Sequence, residues 1–101
     1  MTGSALLARI DAGTAPVIVD VRSQWEFNRG HVPGARHIPF WLMAARASEL
    51  SRSQPVVLYC GDGPRAYFAG ALLRLAGFRD IAYLQGHMRL WRRRGLPEER
   101  T

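Results

Sequence analysis

The chain contains a single cysteine, Cys60, placed between a predicted strand and a predicted helix. The apolar run from Val56 to Tyr59 indicates the strand, and the stretch from Arg65 to Leu75 indicates the helix. A thiol in this position lies near unpaired N–H groups and the positive end of a helix dipole, which favour an anion. Because the thiolate is the nucleophilic form of cysteine, Cys60 is the candidate nucleophile. The alternative is an inert buried thiol, a common state of free cysteine.

The loop that follows Cys60 has the composition of an anion-binding turn. Gly61 and Gly63 permit backbone conformations in which successive N–H groups face inward. Pro64 stiffens the curve, and Arg65 adds a permanent forked charge suited to an oxyanion. The ring between Cys60 and Arg65 is one residue shorter than in tyrosine-phosphatase-type loops. It is therefore better matched to one extra sulfur atom than to a phosphoryl group, which predicts a persulfide on Cys60.

Short apolar runs alternate with amphipathic stretches, which predicts a parallel sheet covered by helices on both faces. The predicted strands are 17–21, 36–38, 56–59 and 80–84. The predicted helices are 4–11, a capped helix from Ser23 to Gly30, 41–50, 65–75 and 88–94. Ligands of such sheets bind beyond the carboxyl ends of the strands. Asp20 and Cys60 both lie at such ends, so we expect them at one site.

Asp20 at the end of the first strand is interpreted as a structural carboxylate that accepts hydrogen bonds; the alternative is a carboxylate that assists catalysis near the thiol. Arg22 and Glu26 are four residues apart, and we interpret them as an ion pair on one helix face. His31 and His37 have no cysteine or carboxylate at metal-ligand spacing, so no metal site is expected.

Length and composition predict one domain over residues 1–101 in a reducing, cytoplasmic compartment. No secretory signal and no membrane-spanning run is visible. The net charge of +6 comes from arginines scattered from Arg9 to Arg100, with one run at 92–94. This dispersal argues against nucleic-acid binding.

Several motifs in this chain resemble, in the right order, the signature of the rhodanese family. They are Asp20-Val21-Arg22, Glu26-Phe27, the segment 30–35, Ile38-Pro39, the loop 60–66, Gln85-Gly86, Met88, Trp91 and the segment 95–97. The resemblance covers about residues 4–97, nearly the whole chain. The resemblance implies a rhodanese-like α/β fold, in which a central parallel sheet of about five strands is flanked by helices on both faces.

The resemblance also implies a sulfurtransferase without a cofactor. Cys60 would take sulfane sulfur from thiosulfate or a persulfide and pass it to cyanide or a thiol. The loop residues implied to hold the persulfide are Gly61, Asp62, Gly63, Arg65 and Ala66. Arg65 would also steer the donor, while Asp20 and Arg22 would support the site. Because no second thiol is present, the acceptor must be external: cyanide, a small thiol, or an acidic or thiol-bearing protein.

Two residues depart from the family pattern. Asp62 places a negative charge on the loop, which predicts that thiosulfate is a poor donor and that Cys60 is harder to ionise. His87 stands where the family usually has glycine, and we expect it on the surface; the alternative is that it projects towards the mouth of the site. The alternative functions are a non-catalytic rhodanese-like module that binds a partner, and a phosphatase or arsenate reductase. Cys60 argues against the first, and the short loop and the lack of further thiols argue against the second.

Overall fold

Five short helices surround the sheet in the computed structural model, which describes residues 1–101. The helices are α1 (Gly3–Asp11), α2 (Gln24–Asn28), α3 (Met43–Arg46), α4 (Pro64–Leu75) and α5 (His87–Arg93). The capping box predicted at Ser23 is present: Ser23 Oγ accepts from Glu26 N–H, and Glu26 accepts from Ser23 N–H. None of the helices is both long and apolar enough to cross a membrane.

The sheet has four parallel strands in the order β2-β1-β3-β4. The strands are β1 (Val17–Asp20), β2 (Arg36–His37), β3 (Val56–Tyr59) and β4 (Ile81–Tyr83). The structure thus has four strands, where the family resemblance implied about five. Only Met1 joins the free edge of β4, where its N-terminal amine donates to Tyr83 O at 3.0 Å and its carbonyl accepts from Gln85 N–H at 2.8 Å.

Alternate residues of the strands face two separate cores, which confirms the prediction of helices on both faces. Val19 and Leu58 point into a cluster closed by α3 and α4. Ile18, Val57 and Tyr59 point into a cluster closed by α1 and α5. This alternation is the two-residue period of a strand buried on both sides. The strands are short, and the candidate functional residues lie in the segments that follow their carboxyl ends.

The predicted helix 41–50 is divided into three pieces. The four-residue helix α3 lies between two 3₁₀ turns, Phe40–Leu42 and Ala47–Glu49. No side chain caps any of the three pieces. Short helical segments without caps commonly tighten into 3₁₀ geometry at their ends, which accounts for the difference.

Candidate active site

Cys60 follows β3 directly and is fully buried beneath its own loop. Gly63 N–H donates a hydrogen bond to Cys60 Sγ at 2.9 Å. Gly63 has φ +135°, and a side chain there would press against the Tyr67 ring. A glycine is thus required at the residue whose amide is turned towards the sulfur. The loop folds back over the thiol as its glycines predicted.

The surroundings of Cys60 favour its thiolate. Burial raises the pKa of the thiol, but the His87 ring and the amides of Ala66, Gly63 and Asp62 outweigh it, so the pKa falls to about 7. The pKa of Cys60 is thus lowered overall, and the opposing effect expected of the Asp62 carboxylate stays a prediction. The Asp62 side chain is exposed to solvent, whereas its backbone amide donates towards the sulfur. A substantial fraction of Cys60 is ionised at neutral pH.

Arg65, the expected anion-binding residue, is engaged by a carboxylate. Its Nη1 and Nη2 atoms lie 2.7 and 3.0 Å from the two Glu26 oxygens. Ser23 adds hydrogen bonds to Glu26 Oε1 from its backbone N–H at 3.1 Å and from its hydroxyl at 2.9 Å. The hydrogen bonds from Arg65, more than any other contact, lower the pKa of Glu26 to about 2. Glu26 therefore already compensates the positive charge of Arg65 in the absence of a sulfur donor.

The predicted Arg22–Glu26 pair is wrong, because Arg22 binds Asp20 instead. Arg22 Nη2 lies 2.7 Å from Asp20 Oδ2, Arg22 N–H donates to Oδ1 at 2.9 Å, and both side chains are buried. Arg22 Nη2 also donates to Gly30 O at 2.7 Å. Arg22 precedes the helix cap, so the four-residue spacing to Glu26 does not place the two side chains on one helix face. The pair fastens the end of β1 to the end of α2.

His87 is buried, with 3% of its surface exposed, so its predicted surface position is also wrong. Its Nδ1 accepts a hydrogen bond from Cys60 N–H at 3.2 Å, and its Nε2 lies 3.4 Å from the Tyr67 hydroxyl. Sequence reasoning singled out His87 as a departure from the family pattern but did not identify it as a contact of Cys60.

A cavity of about 440 Å³ opens beside the Cys60 loop at the carboxyl edge of the sheet. It is lined mainly by charged side chains and loop backbone: Arg22, Glu26, Gly61, Asp62, Arg65, Met88, Arg89 and Arg92. Arg92 bonds to Glu98 at 3.2 Å. Two charges of this lining, Asp62 and Arg89, belong to no ion pair. These two are the charges available to a substrate.

A family model described as "Rhodanese-like domain" matches residues 2–94. The chain is 37% identical over 81 residues to a sulfurtransferase of Allochromatium vinosum, covering 80% of this chain and 76% of that protein. It is 37% identical over 78 residues to the thiosulfate sulfurtransferase GlpE of Pseudomonas fluorescens, covering 75% and 70%. The crystal structure of the Alr3790 protein from Anabaena sp. superimposes with a TM-score of 0.92 at 32% identity, covering all of this chain and 82% of that one.

The chain therefore belongs to the rhodanese-like domain family, and its fold is the rhodanese-like α/β fold. Other relatives are longer: the chain spans 47% of a putative sulfur carrier protein of Bacillus subtilis and 43% of an HTH-type transcriptional regulator of Mycobacterium tuberculosis. The region similar to this chain is thus only part of these two relatives.

Proposed function

We propose that this protein is a sulfurtransferase in which Cys60 carries sulfur as a persulfide. The observation that carries the proposal is the buried Sγ held 2.9 Å from Gly63 N–H, with a pKa lowered to about 7. This arrangement favours a nucleophilic sulfur and surrounds it with hydrogen-bond donors for an anionic outer sulfur. Membership of the rhodanese-like family, and the names of the Allochromatium and Pseudomonas relatives, support sulfur transfer in general.

The chemistry consists of two displacements at sulfur. The Cys60 thiolate attacks the sulfane sulfur of the donor, a new S–S bond forms, and the donor's own bond to that sulfur breaks. Thiosulfate would release sulfite, and a thiol-borne persulfide would release a thiolate. The acceptor then attacks the outer sulfur, the bond to Cys60 Sγ breaks, and the thiolate is restored. Charge and electrons balance at each step without a further reductant or cofactor.

The charges near the loop favour a persulfide over thiosulfate as donor. Thiosulfate is a dianion, yet Arg65 is bound by Glu26, and Asp62 adds a negative charge without a partner. Arg89 offers one positive charge at the same cavity. A monoanionic persulfide meets less repulsion than a dianion at a site with this charge balance. Thiosulfate is accordingly the slower donor.

The acceptor is an external thiol, cyanide, or an acidic or thiol-bearing protein. Cys60 is the only thiol of the chain, so the persulfide cannot resolve to an internal disulfide. Arg29, Arg89 and Arg93 are exposed around the cavities at this edge and form no ion pair within the chain. Exposed cations of this kind speed the encounter with an acidic partner.

Intact-protein mass spectrometry after separate incubation with thiosulfate and with a small-molecule persulfide tests the proposal. We expect a gain of one sulfur atom on Cys60, its loss on addition of cyanide with release of thiocyanate, and no gain in Cys60→Ser. Transfer of sulfur to cyanide by Cys60→Ser would refute the role of this residue. Hydrolysis of a chromogenic phosphate ester by the unmodified protein, without sulfur loading, would favour a phosphatase instead.

A further inference from the structure

The first turn of α5 forms hydrogen bonds with the backbone of Cys60 and Gly61. Met88 N–H donates to Cys60 O at 3.0 Å, and Arg89 N–H donates to Gly61 O at 3.0 Å. Cys60 N–H donates to His87 Nδ1 at 3.2 Å. Both polar backbone groups of Cys60 are thus held by two adjacent residues. The contact to its N–H is the only one of the three made by a side chain, so it alone depends on the identity of the residue at position 87.

His87 adopts a backbone conformation that its side chain disfavours. Its φ of +54° is the only positive value in the chain outside glycine. Non-glycine residues in this region carry strain, which persists only where the surroundings compensate for it. Here the ring is buried, bonded to Cys60 and packed edge-on against Tyr67 with centroids 5.5 Å apart. A glycine would relieve the strain but would remove all of these contacts.

The imidazole of His87 connects the strand end to the corner of the loop. Because Nδ1 accepts from Cys60 N–H, the neutral ring carries its proton on Nε2. That atom lies 3.4 Å from the Tyr67 hydroxyl and 3.4 Å from the position that a Gly63 side chain would occupy. Gly63 is the residue whose N–H donates to Sγ. The ring therefore binds the Cys60 backbone and faces the space beside Gly63, where a side chain is absent.

We propose that His87 is a positioning residue for Cys60, which binds the Cys60 amide through Nδ1 and so keeps Sγ on the Gly63 N–H. This proposal rests on the site of the proposed function. The experiment that tests it measures the ionisation of Cys60, which needs no sulfur donor. The role of His87 can therefore fail or hold independently of sulfur transfer. The other charged groups around this site are Asp62 in the loop, Arg89 on α5, and Arg65, which is paired with Glu26.

Two substitutions at position 87 separate the hydrogen bond from the rest of the side chain. His87→Gly keeps the left-handed backbone without strain and removes the acceptor. His87→Asn also tolerates this backbone, and its side-chain oxygen supplies an acceptor in place of Nδ1. Tyr67→Phe is the matched control, because it removes the hydroxyl near Nε2 and leaves the ring contact in place.

The measurement is the rate of Cys60 alkylation by iodoacetamide against pH, with thiolate absorbance as a second readout. At pH 7 we expect His87→Gly to react about fivefold more slowly, the change that one pKa unit produces. We expect His87→Asn to recover most of the rate and Tyr67→Phe to match the unmodified protein. Circular dichroism on the same samples reports whether each variant is folded.

An unchanged pH profile in folded His87→Gly would overturn the proposal. Equal slowing in His87→Gly and His87→Asn would also overturn it, since the effect would then come from ring volume and not from the acceptor. Unfolding of both variants at the assay temperature would assign His87 to core packing alone. Slowing in His87→Gly that His87→Asn restores would support the proposal even if no sulfur donor were ever found.

Discussion

Cavities of opposite character lie at the amino ends and at the carboxyl ends of the parallel strands. We call these two sides of the sheet its amino edge and its carboxyl edge. The larger cavity, about 640 Å³, lies at the amino edge, where the segments before β3 and β4 meet. Its lining is small or apolar apart from Arg52: Ala44, Ala47, Ser48, Leu50, Ser51, Arg52, Ser53, Ala76 and Phe78. The smaller cavity, at the carboxyl edge, contains the charged lining and the Cys60 loop. Cavity size therefore does not locate the chemistry in this fold.

The two cavities differ in charge because different groups follow the ends of the strands and helices at each edge. At the carboxyl edge, the strands give way to inward-facing amides and to the start of α4, which favour an anion. At the amino edge, Arg52 Nε donates to Ala76 O at 2.7 Å and so caps the carboxyl end of α4. The one charged group there already satisfies a helix carbonyl. At the carboxyl edge the charged side chains of Asp62 and Arg89 remain exposed around the loop that covers Cys60.

The largest expected difference between the edges comes from removing the nucleophile. Cys60→Ser should lower sulfur transfer by about three orders of magnitude or more, because the hydroxyl is not ionised at neutral pH. Ser51→Ala at the amino edge should leave transfer unchanged. Thiocyanate formation from cyanide measures both, with urea unfolding as the check on folding. A comparable loss of activity in Ser51→Ala would show that the two edges are functionally coupled.

Breaking the buried ion pair at the end of β1 should have the next largest effect. Asp20→Asn leaves the Arg22 guanidinium buried without its carboxylate, which we expect to lower the free energy of unfolding by about 3–5 kcal/mol. Glu49→Gln, which breaks the exposed pair with Arg46, should produce no measurable loss. Urea titrations of the two variants make the comparison. Equal stability of Asp20→Asn and the unmodified protein would contradict the structural role of Asp20.

The ionisation of Cys60 predicts a pH dependence within the physiological range. With a pKa of about 7, the thiolate fraction and hence the alkylation rate should rise about tenfold between pH 6 and pH 8. The rate should level off above pH 8, because the thiol is then almost fully ionised. A rate that is still rising steeply at pH 9 would indicate an ordinary thiol that the loop does not stabilise.

Releasing Arg65 from its carboxylate should weaken the discrimination against thiosulfate as a sulfur donor. Glu26→Gln leaves Arg65 uncompensated, so we expect a several-fold lower KM for thiosulfate and little change for a small-molecule persulfide. Asp62→Ser removes the free negative charge and should act in the same direction. Steady-state kinetics with both donors test this. Efficient use of thiosulfate by the unmodified protein, unimproved in either variant, would remove the electrostatic argument for a persulfide donor.

Glu26→Gln should also alter the acid stability of the fold. The folded-state pKa of Glu26 is about 2, below its ordinary value of 4.5, so the carboxylate contributes stability above about pH 4.5 and loses it as the pH falls towards 2. The difference in unfolding free energy between the unmodified protein and Glu26→Gln should shrink over this interval. Thermal unfolding at several pH values measures it, and a constant difference would contradict the depressed pKa.

Features encoded by neighbouring residues could be predicted from the sequence, and features that depend on distant contacts could not. The strand 56–59, the capping box at Ser23 and the turn of the glycine-rich loop arise from local pattern, and all three are present in the structure. Arg22 pairs with Asp20 because it precedes the cap of α2, and Glu26 pairs with Arg65, which lies 39 positions further along the chain. The position of His87 depended on one left-handed φ, which turns the ring inward against Cys60.

The attachment of Cys60 to α5 has a consequence for biosynthesis. The residues that bind the Cys60 backbone lie 27 and 28 positions further along the chain, at His87 and Met88. A nascent chain that has just exposed Cys60 therefore lacks the groups that orient and ionise it. We therefore expect the pKa of Cys60 to fall, and reactions that need its thiolate to accelerate, only after α5 has been synthesised and has docked.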